Sequence, residues 1–162
     1  VWRGGQLLKQ AEAINDIVLA RGAALRTVQV SIEVDGHYLM TQVADGLIMS
    51  TPTGTTAYCL SAGGPIVAPD LDCITVTPVA AHLSVAHAIV VPPHRQVCLS
   101  LAAGSGAVAS VDGQIDLPLE PGDRVVGSIS ERKACFVRFG GDGHFYETVL
   151  RRLRWPDRIR TA

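Results

Sequence analysis

The segment Val28-Gln29-Val30-Ser31-Ile32-Glu33-Val34 alternates apolar and polar residues without a break, and Asp35-Gly36 follows at once. Strict period-two alternation puts every second side chain on one face, which describes a strand with one buried side. Asp-Gly tolerates the positive φ angles of a two-residue hairpin turn, so the chain is expected to return over Tyr38 to Val43. A half-buried hairpin needs more sheet to cover its apolar face. The sequence supplies it in short apolar runs at 45–50, 73–79, 87–91, 96–102, 107–111, 115–117, 124–130 and 134–139, each bounded by turn residues. Many short strands between Gly and Pro predict a mainly β domain, a two-sheet β-sandwich-like fold with short helices.

Three stretches depart from that pattern. Residues 6–20 begin with Leu7, Leu8, Ala11 and Ile14 at helical spacing and end with Ile17-Val18-Leu19, which reads as a buried strand. We divide them into an opening segment to about residue 14 and a strand after it. Residues 51–65 read as a turn followed by about two helical turns, stopped by Gly63-Gly64-Pro65. The tail, 145–155, places Phe145, Val149, Leu150 and Leu153 on one helical face, with Arg151, Arg152 and Arg154 near the end where cations favour the helix dipole. The length of 162 residues fits a single domain.

Composition narrows the function classes. Hydrophobic residues at 48% and charged residues at 18% exclude a disordered chain. A formal net charge of −1 leaves no broad electrostatic footprint for nucleic acid. No run approaches the roughly 20 apolar residues of a membrane helix, and the most apolar one, Ala86 to Val91, stops at Pro92-Pro93. Val1 to Gly5 does not read as a signal peptide, and without an initiator Met the chain is expected to be a fragment or a processed product. Cys59, Cys73, Cys98 and Cys135 form no C-x-x-C pair. They read as buried free thiols in a reducing cytoplasm rather than as zinc ligands, and no metal site is expected.

The unusual chemistry lies between residues 50 and 61. Ser50, Thr51, Thr53, Thr55, Thr56, Tyr58 and Ser61 place hydroxyls around Gly54. No G-K-[ST] follows, so the lysine of a P-loop is missing. Hydroxyls without a cation suit sugar hydroxyls and base edges better than a triphosphate. A plain Thr-rich turn in a β protein remains the alternative. Ser61 is no nucleophile elbow, since G-x-S-x-G is absent. His82 and His87 have no acidic or thiol partner nearby in sequence. Asp112-Gly113 and Gly140 to Gly143 both read locally as turns.

The string Asp45-Gly46-Leu47-Ile48-Met49-Ser50-Thr51-Pro52-Thr53-Gly54-Thr55-Thr56-Ala57-Tyr58, continued by Leu60-Ser61-Ala62-Gly63-Gly64-Pro65, resembles the C-terminal domain of ATP-dependent NAD kinases. Ala13-Ile14-Asn15-Asp16-Ile17-Val18 with Arg21-Gly22, then Thr77-Pro78 with His82, then Ser110-Val111-Asp112-Gly113-Gln114 with Gly122-Asp123, match in the family's order. The likeness spans about residues 11–155. It implies that Asn15 and Asp16 bind the ribose hydroxyls and adenine edge of NAD, and that Asp45 holds an amide or amino group of the dinucleotide. Thr56, Ala57 and Ser61 would line the base pocket, Tyr58 would stack on a ring, and Gln114 joins the NAD-binding set.

The family's N-terminal Gly-Gly-Asp-Gly-Thr domain, with its phosphate-binding and base residues, has no counterpart in the sequence. Residues 1–12 therefore read as the opening segment at that domain's boundary, and no catalytic residue is expected within the chain. Gly140 to Gly143 spells a similar tetrapeptide at the wrong end and is read as a decoy. The resemblance implies a partner domain, a homo-oligomer, and in the full enzyme ATP as co-substrate with a divalent metal such as magnesium; the chain alone is expected to be inactive. Two alternatives stand: a kinase of a lipid or sphingoid base on the same superfamily fold, and a non-catalytic nucleotide-binding domain. A lipid acceptor would require an apolar slot rather than a row of hydroxyls.

Overall fold

The computed structural model describes residues 1–23, 26–82, 87–103, 106–137 and 143–153. The chain divides into two units, Val1–Arg132 and Lys133–Ala162. In the first, the strands are β1 (Trp2–Arg3), β2 (Gln6–Leu7), β3 (Asp16–Ala20), β4 (Val28–Val34), β5 (His37–Ala44), β6 (Gly46–Ser50), β7 (Ile74–Val79), β8 (Ile89–Val91), β9 (Val97–Ala103), β10 (Ala107–Val111), β11 (Ile115–Leu119) and β12 (Arg124–Gly127). A 3₁₀ turn (Thr53–Thr56) and α1 (Tyr58–Ser61) lie between β6 and β7.

Two six-stranded antiparallel sheets result, ordered β2-β1-β12-β9-β4-β5 and β11-β10-β3-β6-β7-β8. The mainly β, two-sheet expectation holds. The alternation at 28–34 does what period two demands: Val28, Val30 and Ile32 point inward and are buried. They meet Val97, Leu99, Leu101 and Val125 of their own sheet and Leu19, Leu47, Met49, Ile74 and Val76 of the other, in one continuous aliphatic core. Strand β6 is buried along its whole length. Leu47 and Met49 enter the core between the sheets, while Ile48 joins Val18 and Cys59 in a small second cluster on the opposite face. Residues 58–61 therefore cap one sheet from outside, and the sheet is covered on both sides there.

Two segments match their reading and two expectations are corrected. The opening segment divided off at about residue 14 carries no helix. Gly4 and Gly5, at φ +54° and +84°, turn β1 into β2, and Leu7, Leu8 and Ile14 are exposed, so their helical spacing has no buried face to serve. The two helical turns expected after residue 51 are present, as one 3₁₀ turn and one α turn. The strand expected at 134–139 is absent over 134–137, and residues 138 and 139 lie outside the described residues. Cys59, Cys73 and Cys98 are buried, but Cys135 is exposed; all four are free.

The second unit contains α2 (His144–Leu153). Arg154 and Trp155, and the Gly140 to Asp142 part of the suspected decoy loop, lie outside the described residues. No helix among the described residues is long and apolar enough to cross a membrane.

Candidate functional site

The loop that leads into β3 is held from both sides. On one side stands Asp112, at the tip of the β10–β11 hairpin. Its Oδ2 accepts the Ile14 N–H at 2.8 Å, and its Oδ1 accepts the Asn15 and Asp16 N–H groups at 2.8 and 2.9 Å. The Asp112 N–H donates to the Asp16 carbonyl at 3.0 Å. On the other side stands the turn after β6. The Thr51 N–H donates to the Asn15 carbonyl at 2.9 Å, and the Thr51 hydroxyl donates to the Ile14 carbonyl at 2.6 Å. The Ser50 hydroxyl also reaches the Asn15 carbonyl, at 3.3 Å.

Gly54 closes this clamp. A Cβ there would stand 1.9 Å from the Asn15 carbonyl oxygen and 2.7 Å from the Asn15 Cα. No side chain fits between the two backbones, so the glycine serves close approach rather than turn flexibility. The Gly54 N–H in turn donates to the Thr51 hydroxyl at 3.1 Å.

Much of the hydroxyl cluster is occupied by its own backbone. Thr55 donates to the Pro52 carbonyl at 2.6 Å and accepts the Val67 N–H at 3.1 Å. Thr56 donates to the Thr53 carbonyl at 3.1 Å. Ser50 and Thr51 brace the Asn15 loop as described. The side-chain hydroxyls of Thr53, Tyr58 and Ser61 make no hydrogen bond among the described residues. Tyr58 is 46% exposed; Ser61 is exposed, and Thr56 and Ala57 are half-buried beside it. Beneath them the buried Cys59 thiol lies 3.3 Å from the Thr77 hydroxyl and fixes α1 to β7. Gly64 passes so close that a Cβ would meet Cys59 Sγ at 2.3 Å.

Asp16 differs from the other acids in this region. Its residue is only 6% exposed, yet its carboxylate makes no hydrogen bond or ion pair among the described residues. Among the described residues no fully buried side-chain oxygen lacks a partner, so the Asp16 oxygens themselves face solvent while the rest is covered. Burial raises its pKa above the usual carboxylate value, and the neighbouring negative charge of Asp112 raises it further. The Asn15 side-chain amide also makes no hydrogen bond among the described residues, and the residue is half-buried.

The sequence-derived residues do not all converge. Asn15 and Asp16 adjoin Ser50 and the 51–58 segment, because Asp16 pairs with Ser50 across β3 and β6. Gln114 is exposed on the hairpin that carries Asp112, where its N–H closes the turn on the Val111 carbonyl at 2.9 Å. Asp45 stands at the far end of β6, about 16 Å from Ser50 at the usual strand rise. There it pairs with Arg21 at 3.1 Å. Within one chain it is separate from the Asn15–Tyr58 group. Local reading took Asp112 for a turn residue and missed its grip on a loop some 97 positions away. His82 is exposed. Among the described residues no three His, Cys, Asp or Glu side chains could hold a metal ion.

Comparison with known proteins agrees with the fold and the motifs. Residues 14–139 match the model of the ATP-NAD kinase C-terminal domain family. An NAD kinase of Geotalea daltonii is 38% identical over 157 residues, which cover 96% of this chain and 55% of that protein. An NAD kinase of Chloroflexus aurantiacus is 40% identical over 154 residues, 95% of this chain and 56% of that protein. The chain thus spans about half the length of these relatives. Among solved structures, yeast NADH kinase complexed with NADH aligns with a TM-score of 0.77 at 28% identity, over 93% of this chain and 44% of that one. An NAD kinase from Archaeoglobus fulgidus in complex with ATP aligns with a TM-score of 0.73 at 28% identity, over 85% of this chain and 52% of that one. With more than three quarters of its length inside that family's model and two antiparallel sheets of the same fold, the chain belongs to the ATP-NAD kinase C-terminal domain family.

Proposed function

We propose that this chain is the NAD- and NADP-binding half of an NAD kinase, an enzyme that transfers the γ-phosphoryl group of ATP to the adenosine 2′-hydroxyl of NAD. The observation that carries the reading is the Asp16 carboxylate, covered on all sides but its oxygens and without a partner among the described residues. Its solvent-facing oxygens are open to accept the two hydroxyls of a vicinal diol, and hydrogen bonds to a charged acceptor are the stronger kind. Asn15, Thr56, Ala57, Tyr58 and Ser61 lie on the adjoining segments, and the exposed Tyr58 ring offers a stacking face for a base. Gln114 stands on the hairpin next to them. The role proposed for Asp45 belongs to the opposite end of β6.

ATP and a divalent metal such as magnesium belong to the whole protein. Phosphoryl transfer depends mostly on positioning and charge stabilisation, so the chain alone holds the acceptor and does not turn over ATP. Assembly as a homo-oligomer is supported by β5 and β8, which end their sheets on open edges and expose Tyr38, Leu39, Val43 and Val90. The four free cysteines suit the cytoplasm.

The test is a titration of NAD and NADP into the chain, followed by amide chemical shifts. The expected result is saturable shifts at Asn15, Asp16 and Tyr58, abolished by Asp16→Ala. Shifts confined to other residues, or binding indifferent to Asp16→Ala, would refute the reading.

A further inference from the structure

A hairpin turn asks only that its first residue tolerate a positive φ. Asp112 does so at +50°, followed by Gly113 at +64°. Its carboxylate adds nothing to that turn and leaves it to collect three consecutive N–H groups from Ile14, Asn15 and Asp16. With its own N–H on the Asp16 carbonyl, one residue makes four hydrogen bonds to three neighbours in sequence. The carbonyls of Ile14 and Asn15 meanwhile go to Thr51. Both edges of the loop are thereby held, and the bonds restrict the backbone of Asn15 and Asp16.

Asp35 shows that the device itself is part of the fold. It too has φ +50°, and its carboxylate accepts the Gln96 N–H at 2.8 Å and pairs with Arg95 at 2.6 Å. That grip holds the start of β9, where no candidate ligand residue stands. Only the loop in its grasp sets Asp112 apart.

We infer that Asp112 is the positioning residue of the dinucleotide site: without touching the ligand, its carboxylate sets where Asn15 and Asp16 present their side chains. The inference rests on the function proposed above. It predicts a separation between stability and affinity that a purely structural aspartate would not produce.

The experiment compares the 162-residue chain with its Asp112→Ala, Asp112→Asn and Asp35→Ala variants. It measures melting temperature, NADP affinity by calorimetry, and amide hydrogen exchange at residues 14–16. Asp112→Ala is expected to lose at least about tenfold in affinity, the equivalent of one or two hydrogen bonds. Asp35→Ala is expected to lose comparable stability and keep its affinity. Asp112→Asn retains one acceptor oxygen, so it should recover part of the affinity and leave Ile14, the residue served by the lost oxygen, exchanging fastest of the three. Parent-like affinity in Asp112→Ala overturns the inference and leaves the proposed function standing. Should Asp112→Ala fail to fold, unchanged exchange at residues 14–16 in Asp112→Asn overturns it equally. Absence of binding of both NAD and NADP by the parent overturns the proposed function, and this inference with it.

Discussion

Gly54→Ala isolates the contact between the hydroxyl-rich turn and the Asn15 loop. The added methyl would sit 1.9 Å from the Asn15 carbonyl oxygen. Ordinary contact requires the two backbones to part by about 1.5 Å, and a backbone atom cannot swing aside as a side-chain tip can. That retreat breaks the 2.9 Å bond from the Thr51 N–H and strains the 2.6 Å bond from its hydroxyl. Overpacking costs about 1–3 kcal/mol, and the one lost hydrogen bond about 1 kcal/mol. A total near 3 kcal/mol lowers the melting temperature by roughly 6–12 °C in a chain of this size. Affinity for NADP should fall by at least about tenfold, because the loop carries Asn15 and Asp16 out of hydrogen-bond reach. Gly63→Ala is the control: its Cβ meets nothing within 4 Å, but its φ of +82° strains an alanine. It should lower stability by about 1 kcal/mol and leave affinity intact. Differential scanning calorimetry and a binding titration report both quantities. A Gly54→Ala chain with the parent's melting temperature and affinity would refute the close-approach argument.

Three more outcomes follow from the structure. Asp16 has its pKa raised by burial and by Asp112, so the folded chain holds that proton more tightly than the unfolded one. The strain is absent below the unfolded value near 4 and grows as pH rises to the raised value. Asp16→Asn should therefore raise the melting temperature at pH 7 while weakening NADP binding, and parent binding should weaken on acidification before ordinary carboxylates titrate; a pH series of titrations and melts checks both. Tyr58→Ala removes an exposed ring, so thermal stability should move by less than about 0.5 kcal/mol. Dinucleotide affinity should meanwhile fall by about 1–3 kcal/mol in calorimetry. Asp123 is fully covered and held by a two-pronged bond from Arg3, both distances 2.8 Å. The Arg3 hydrogen bond holds its pKa below the usual value. Its contribution is present above pH 4 and lost as pH falls through the depressed value. Asp123→Asn should cost about 2 kcal/mol at pH 7 and flatten the acid limb of the melting curve.

The sheet residues were legible because each obeys a local rule. Val28 to Val34 alternate, Asp35-Gly36 turns, and the five residues of β6 are apolar enough for burial on both faces. The order of strands within the sheets was not legible, since pairing such as β9 with β4 depends on matching surfaces far apart in sequence. The helical spacing of Leu7, Leu8 and Ile14 could not decide that segment, because periodicity reports a face only where something covers it. The hydroxyl cluster was visible as composition. Which hydroxyls are occupied by carbonyls, as in Thr51, Thr55 and Thr56, and which stay open, as in Tyr58 and Ser61, depends on the fold of the turn. Asp112 was read as a turn residue, which it is; its second role lies across the sheet, where no window of sequence reaches.

The double clamp on residues 14–16 also bears on kinetics. Its bonds join positions 37 apart on one side and 97 apart on the other. Loops of that length close late, after the local hairpins have formed. The Asn15–Asp16 site is then expected to form after the folding transition state, and a ligand held there to stabilise only what lies beyond it. Such a ligand would leave the refolding rate of the chain unchanged and would appear wholly as slower unfolding.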